Sequence, residues 1–499
     1  MSAPLIPAKL AIIFFLVALT FGLFLLGEQY RNWSQNADQE LTLAYNALLA
    51  NSNEKQEYLD HTGFFTIQVL AQLINLKHFL GLSSIFGIGD LNSSLLLVDG
   101  LSDIVTTAHF LAFFSTLVLL IATFCYCYEN FQENIPALLI TIAILFTDAS
   151  ITHYIQLRTE LVASLLLFLS LFIFSQVNVN NKKSGLWLYL GLVVLFFSSL
   201  NKIQIILYIP FYLFWAIHSW PVPFKNKAVL FFNKTEILRA ICVSLLCYLF
   251  FIFRAKGASI LFYFLFLSSI NLLVFYYWLK NGGNLAKQIT IFNAAYLLAY
   301  GSSLLIVHLL GGYPSELFHY INSPMEMTVF MSNNLIGMGT SQITTSNIST
   351  LLVDYFLKPA QVRLTSLNSS SFLFYINLML LIFNRENAKT KKNVVICLTF
   401  FYLISIISGI RSFVNHYAIF SEFFLIVALI KQINTLRFKK IFCIFILLAL
   451  FSINIDLIQA HLLNSSNDIK RLCIDTYMTD WHRHLDLQKF YNQCKEIEK

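Results

Sequence analysis

A chain of 499 residues in which 57% of the side chains are hydrophobic and only 12% are charged cannot clothe itself in a water-exposed surface, because soluble domains carry about 25% charged residues. The same inventory excludes disorder, whose signature is low hydrophobicity, and leaves a polytopic membrane protein. The formal charge of +7 does not indicate nucleic acid, since Lys and Arg are scattered over short loops, as membrane orientation requires.

The first apolar run, Leu10 to Gly27, is 18 residues long and covers roughly 27 Å as a helix, enough to span a bilayer core. It ends in Leu25-Leu26-Gly27-Glu28-Gln29-Tyr30 without a small-residue cleavage site, so it reads as a retained span rather than a signal peptide. A mixed segment follows to about Asp103. Within it, Glu40 to Leu49 reads as a short helix that Asp38 or Asn36 caps. Phe64 to Leu80 is apolar but interrupted by Gln68, Gln72, Asn75 and Lys77 at roughly helical spacing, which predicts a helix lying along the membrane interface. Twelve further apolar runs centre on 104–127, 135–147, 161–177, 186–200, 205–219, 237–253, 259–279, 291–310, 371–383, 394–410, 417–431 and 441–458. The expected fold is therefore an all-α polytopic membrane protein of about 13 transmembrane helices, with short interfacial helices in its outer loops.

Charge sets the orientation. With the N-terminus in the cytoplasm, the inside connections hold 16 basic residues, among them Lys182, Lys183, Lys225, Lys227, Arg385, Lys389, Lys439 and Lys440, while the short outside connections hold only Arg158, Lys202, Arg254, Lys256 and Arg411. This is a positive-inside bias. It places residues 28–103 and 311–370 outside as large loops of a transmembrane domain spanning 1–458, and 459–499 outside as a C-terminal tail. The expected location is the plasma membrane, multi-pass, with the N-terminus cytoplasmic and the C-terminus extracytoplasmic. Six cysteines lie in or beside spans, where Cys behaves as a small apolar residue. Cys473 and Cys494 fall in the outer tail, where an oxidising compartment permits a disulfide.

Ionisable residues that can carry chemistry collect at the outer face. The first outer loop opens with Asp38-Gln39-Glu40 and continues to Tyr58-Leu59-Asp60-His61-Thr62-Gly63. The connection after the third span contains Asp148, His153 and Arg158-Thr159-Glu160. Taken alone, Asp38 reads first as a helix cap, and Arg158 with Glu160 as an interfacial ion pair, since charges at span ends cost far less than charges at mid-membrane. Yet Lys202, Arg254, Arg411 and His416 also stand at outer ends, against the orientation rule. An anionic ligand near the membrane, such as a lipid phosphate, is the simplest reason for such a gathering.

The order of these features resembles the GT-C class of membrane glycosyltransferases, in particular bacterial proteins similar to protein O-mannosyltransferases and lipid A aminoarabinose transferases. That family opens its first outer loop with an Asp-Glu pair; Asp38 matches the first acid and Gln39 replaces the second. Tyr58 to Gly63 resembles a later Tyr/Phe-x-x-His/Lys-Pro-Pro/Gly element, with Thr62 where Pro is common. Arg158-Thr159-Glu160 matches an Arg-x-acid arrangement after the third span, and Asn201-Lys202-Ile203-Gln204 a basic Lys-x-Gln turn. The motifs cover residues 28–65 and 148–204; the later half matches in span count and basic outer residues.

The resemblance implies transfer of a sugar from a polyprenyl-phosphate donor to a glycan, lipid or protein acceptor at the outer face of a bacterial inner membrane. Asp38 is then the base or acceptor-orienting carboxylate and Glu160 its support. Lys202, Arg158, Arg254 and Arg411 bind the departing phosphate, and Glu40, Asp60, His61 and His416 are further substrate-binding candidates. No cofactor is expected beyond the lipid-linked donor, and no paired acids are spaced as a metal site. Two alternatives stand beside this reading. A transporter or flippase of lipid-linked glycans would place charges within its spans. An O-antigen ligase or polymerase would concentrate basic and His residues in one late loop, for which 311–370 offers His319, Lys358 and Arg363. The topology is directly testable: a reporter active only outside, fused after Lys499, is expected to be active, and the same reporter inserted in 384–393 to be silent.

Overall fold

The computed structural model describes residues 5–30, 38–54, 63–93, 97–175, 184–202, 205–219, 234–254, 259–281, 284–311, 364–383, 388–408 and 418–462. Every regular element among them is an α-helix: α1 (Leu5–Tyr30), α2 (Asp38–Asn51), α3 (Phe64–Phe79), α4 (Ile88–Ser93), α5 (Leu97–Phe131), α6 (Asn134–Leu145), α7 (Asp148–Ile155), α8 (Thr159–Ser175), α9 (Ser184–Asn201), α10 (Ile205–Ser219), α11 (Lys234–Arg254), α12 (Ser259–Asn281), α13 (Leu285–Leu309), α14 (Ser369–Phe383), α15 (Ala388–Ser408), α16 (Ala418–Ile433), α17 (Lys439–Ile453) and α18 (Ile455–Leu462). Three stretches, Lys9–Glu28, Asp99–Phe131 and Leu285–Leu309, are long and apolar enough to cross a membrane, and several shorter apolar helices accompany them. Large apolar side chains such as Phe14, Phe114 and Leu298 stand more than half exposed along these helices, an arrangement that suits lipid and not water.

The chain divides into two compact units, one of residues 1–57, 66–161 and 347–499, the other of 58–65 and 162–346. In the first, α5 is the axis and packs against α1, α2, α4, α6, α7 and α16. α1 and α5 run antiparallel, because Lys9 Nζ lies 3.8 Å from the Tyr128 ring centroid while Glu28 meets His109. Lys9 to Glu28 and His109 to Tyr128 are each 19 residues apart with no charge between. That is about 28 Å of helix, close to the ~30 Å of a bilayer's hydrocarbon core.

Two helices differ from their apolar runs. The run at 104–127 becomes the 35-residue α5, whose N-terminal turns extend past the uncharged stretch and are met there by Lys77 of α3, bonded to Asp103 and Thr107, and by Ser83, bonded to Asp103. The run at 441–458 is broken at Asn454, where α17 ends and α18 begins. Its side chain amide donates to the main-chain oxygen of Phe146 at 2.8 Å, just past the end of α6, so the polar residue that interrupts one helix satisfies a terminal carbonyl of another. In α16, 13 of 16 residues are buried. Asn377 of α14 ties into it by donating to Leu425 O at 3.0 Å and accepting from Gln432 Nε2 at 2.7 Å.

The second unit is built from most of α8 and from α9 to α13, with α13 against α9, α11 and α12. Asn293 donates to Ser244 Oγ at 2.9 Å and to Asn271 Oδ1 at 3.2 Å, so one buried amide joins three helices, the usual role of polar side chains between membrane helices. Rings of Phe196, Phe250, Phe251, Tyr263, Tyr296 and Tyr300 pack beside it at centroid distances from 4.9 to 5.6 Å. Gly191 lets α8 and α9 approach: a Cβ there would meet the Phe174 ring at 2.5 Å.

Replacing Asn454 by Ala removes the amide from the Phe146 carbonyl. The expected loss is about 0.6–1.7 kcal/mol, the range for side-chain hydrogen bonds between membrane helices, read as a lower denaturation midpoint in detergent. An unchanged midpoint would show that the bond contributes nothing.

Candidate functional site

The segment between α6 and α8 is held by its two ends. Thr147 caps α7, its hydroxyl accepting from Ser150 N. At the other end Gln156 is extended, with φ −124° and ψ 133°, which turns the following amide away from the helix. The segment thus offers main-chain N–H groups at both ends, one at Asp148 and one at Leu157, and each is taken up by a different part of the first unit.

Glu40, in the first turn of α2, is 1% exposed. Its Oε1 accepts from Leu157 N at 2.5 Å, and its Oε2 lies 3.2 Å from His109 Nε2. The other ring nitrogen, Nδ1, lies 2.5 Å from Glu28 Oε1. A ring protonated on both nitrogens donates to both carboxylates, whereas a neutral ring donates to one. The result is a carboxylate–imidazole–carboxylate row joining the end of α1, the wall of α5 and the start of α2, with the segment Gln156–Glu160 hung from it. Hydrogen bonds to a charged acceptor contribute about 1.5–3 kcal/mol each, which offsets the cost of burying Glu40.

A second buried carboxylate holds the other end. Glu422 of α16 is 2% exposed and accepts from Ser370 Oγ at 2.5 Å and Ser369 Oγ at 3.3 Å. Ser369 Oγ in turn accepts from Asp148 N at 2.9 Å. The Ser369 hydroxyl therefore passes the carboxylate's negative charge on to the N-terminus of α7, where the helix dipole favours it. Ser369 and Ser370 themselves open α14, which Asn368 caps through Ser371 N at 2.8 Å.

The structure brings together one part of the sequence-derived site. Glu40 and the segment carrying Arg158 and Glu160 share a direct bond. Glu160 is fully buried and its Oε2 accepts from Thr159 Oγ1 at 3.3 Å. Arg158 is half-buried, with Nε donating to Gln156 Oε1 at 3.4 Å. Lys202 belongs to the second unit, where it is 4% exposed. It occupies the turn from α9 to α10, its amide donating to Ser198 O and its carbonyl accepting from Ile205 N, both at 3.0 Å. Asp38 is the first residue of α2 and Arg254 the last of α11; their side chains lie outside the described residues, as do Asp60, His61, Arg411, His416, Cys473 and Cys494 entirely. Among the described residues no three His, Cys, Asp or Glu side chains gather in a metal-holding group.

Sequence reasoning passed over Glu28, His109 and Glu422. The signal was present: each is an ionisable residue inside or at the end of an apolar run, and such residues are functional or structural nodes by default. Comparison with family models, with curated proteins and with solved structures finds no match to the chain.

Glu40→Ala is expected to release Leu157. Loss of one charge-assisted bond of about 1.5–3 kcal/mol corresponds to a roughly 10- to 150-fold fall in amide protection, measured by hydrogen exchange on a peptide covering 156–160. Glu40→Gln, which still accepts a hydrogen bond, is expected to fall between Ala and the parent.

Proposed function

We propose that the protein is an integral-membrane glycosyltransferase that moves a sugar from a polyprenyl-phosphate donor to an acceptor at the extracytoplasmic face, on a body of about thirteen spans with its N-terminus inside. The observation that carries this reading is the bond from Leu157 N to Glu40. It joins the acid-bearing start of the first outer loop to the Arg-x-acid segment after the third span, the two stretches on which the resemblance to the GT-C class rests.

The chemistry asks for few parts. A carboxylate near the membrane surface takes or orients the proton of the attacking hydroxyl; Asp38 is assigned that role, two residues before the buried Glu40. Cations stabilise the leaving phosphate; Arg158, in the segment bonded to Glu40, is assigned to it. Glu40 acts through the main chain of the Arg158 segment and is a positioning residue in this scheme. Glu160, buried beside Thr159, supports the same segment.

Buried Glu422 and His109 within apolar helices favour a second reading, transport of a lipid-linked glycan, because transporters line their paths with intramembrane ionisable groups. Neither placement is that of a transport path, however. Glu422 is the fifth residue of α16, and His109 is level with Glu28 at the end of the α1 span. Transporter sites lie near the bilayer midplane. The Glu28–His109–Glu40 row, level with a span end, suits a surface reaction better.

Asp38→Asn separates a base from a cap. Loss of a general base lowers rate about 10²–10⁴-fold, while Asn substitutes for Asp at a helix N-terminus almost freely. The expected result is normal accumulation in the membrane with transfer reduced at least a hundredfold, measured as glycan-modified product in lipid extracts by mass spectrometry. Near-parental transfer would remove Asp38 from the chemistry.

A further inference from the structure

Helix α3 ends in a Schellman turn. Gly81 adopts φ 70°, Gly81 N donates to His78 O at 2.9 Å and Leu82 N to Lys77 O at 3.0 Å, the paired bonds that close a helix on a left-handed glycine. The turn presents four large apolar side chains outward: Leu76 is 52% exposed, Phe79 82%, Leu80 57% and Leu82 68%. The opposite side of α3 is sealed, with Phe64, Leu70, Ala71 and Ile74 buried. So this is a formed element with a second, uncovered apolar edge. In water such an edge is a liability, and a contiguous patch of this kind marks an interaction surface.

The level of the edge relative to a bilayer follows from α5. Lys77 bonds Asp103 and Thr107, and Ser83 Oγ donates to Asp103 Oδ2 at 2.6 Å. The residues between them, 79–82, are therefore bracketed at the height of Thr107 and Asp103. Those positions lie two and six residues beyond His109, or about 3–9 Å along the helix. His109 and Glu28 mark one end of the uncharged 19-residue stretch that matches a hydrocarbon core, and the headgroup layer beyond that core is about 5–7 Å deep. The backbone of the apolar edge thus lies at the level of the headgroup layer, from which its large side chains reach down to the acyl boundary. Interfacial amphipathic segments sit at that level with their apolar side chains inserted, and the exposed His78 in the last turn of α3 stands where lipid phosphates are.

We propose that Leu76, Phe79, Leu80 and Leu82 form a wedge that inserts into the outer phospholipid leaflet and pins the first outer segment to the membrane surface. The consequence is mechanical. α3 is tied to α2 by Asn51, whose amide donates to Ala71 O at 3.1 Å, and α2 carries Glu40. A wedge seated in lipid holds that carboxylate, and the segment hung from it, at a constant height over any lipid-borne ligand. This inference rests on the α1–α5 hairpin crossing the bilayer, and not on glycosyl transfer.

The test uses the full chain in phospholipid vesicles, with p-benzoylphenylalanine introduced one position at a time and photoactivated. Phe114, 53% exposed on α5 and five residues inward of His109, reports lipid within the core. Ser84, exposed and polar just past the turn, reports the surface away from the wedge. The expected result is a mass increase of one phospholipid at Phe79 and at Phe114, and none at Ser84. Leu82 is the second wedge position, so that a variant which fails to accumulate does not decide the matter. Labelling at Phe114 with none at Phe79 and Leu82 overturns the wedge while leaving the hairpin in the membrane. Crosslinking of Phe79 or Leu82 to a second copy of the chain also overturns it, by giving the edge to a protein partner.

Discussion

A carboxylate taken out of water must be met by donors, or it costs several kcal/mol and destabilises whatever buries it. Glu40 and Glu422 meet that demand from the same short stretch of chain. Glu40 takes Leu157 N directly, and Glu422 reaches Asp148 N through Ser369. α7 has only eight residues, too few to be stable alone. Its helical form and its place on the bundle are supported by the two buried carboxylates that take up the amides at its ends. The dependence is mutual: without the segment, Glu40 would lose its main-chain donor, and Ser369 would lose the amide it accepts from.

The second constraint is thickness. Lys9 over Tyr128 at one end of the α1–α5 pair and Glu28 against His109 at the other leave an uncharged slab of about 28 Å between them. Because the Glu28–His109 contact continues into Glu40, the carboxylate row lies at one boundary of that slab and not inside it. α7 runs inward from that boundary: Ile151 packs with Leu120, Leu145 and Leu19 inside the slab, and Asp148 with the Glu422 node lies at the end of α7 away from Leu157. The buried carboxylates of the first unit therefore hold α7 at two levels, one at the edge of the uncharged slab and one at the other end of the short helix.

This layering bears on how a transferase would use the parts assigned to it. An extended outer loop carrying a base tolerates little wandering, since misplacing a reacting group by about 1 Å can cost a hundredfold in rate. Tying α2 to α5 through His109 and to the Arg158 segment through Leu157 converts the loop into part of the helical body. The network of Asn293, Asn271 and Ser244 in the second unit does similar work among α11, α12 and α13, with neutral amides and hydroxyls where the first unit uses charge.

Much of the architecture was legible in the chain itself. Long uncharged runs can be only helices in lipid, since no other single-chain element satisfies its own backbone there, and the helices of the first outer loop were visible as Glu40–Leu49 and Phe64–Leu80 from periodicity and capping, within two residues of α2 and α3. Asn454 shows the limit: a single polar residue in an apolar run reads as tolerable until a partner carbonyl at Phe146, 308 residues away, makes it a break. The site divides in the same way. Order and the expected sidedness pointed to Asp38 and Glu160 as the working pair, with Glu40 and Arg158 as further binding candidates. That Glu40 is buried, that it grips Leu157 through the main chain, that Glu28 and His109 join it in one row, and that Glu422 holds the other end of α7 were decided only by tertiary structure. A main-chain amide leaves no mark in a sequence, and a buried charge is distinguished from a solvated one only by what surrounds it.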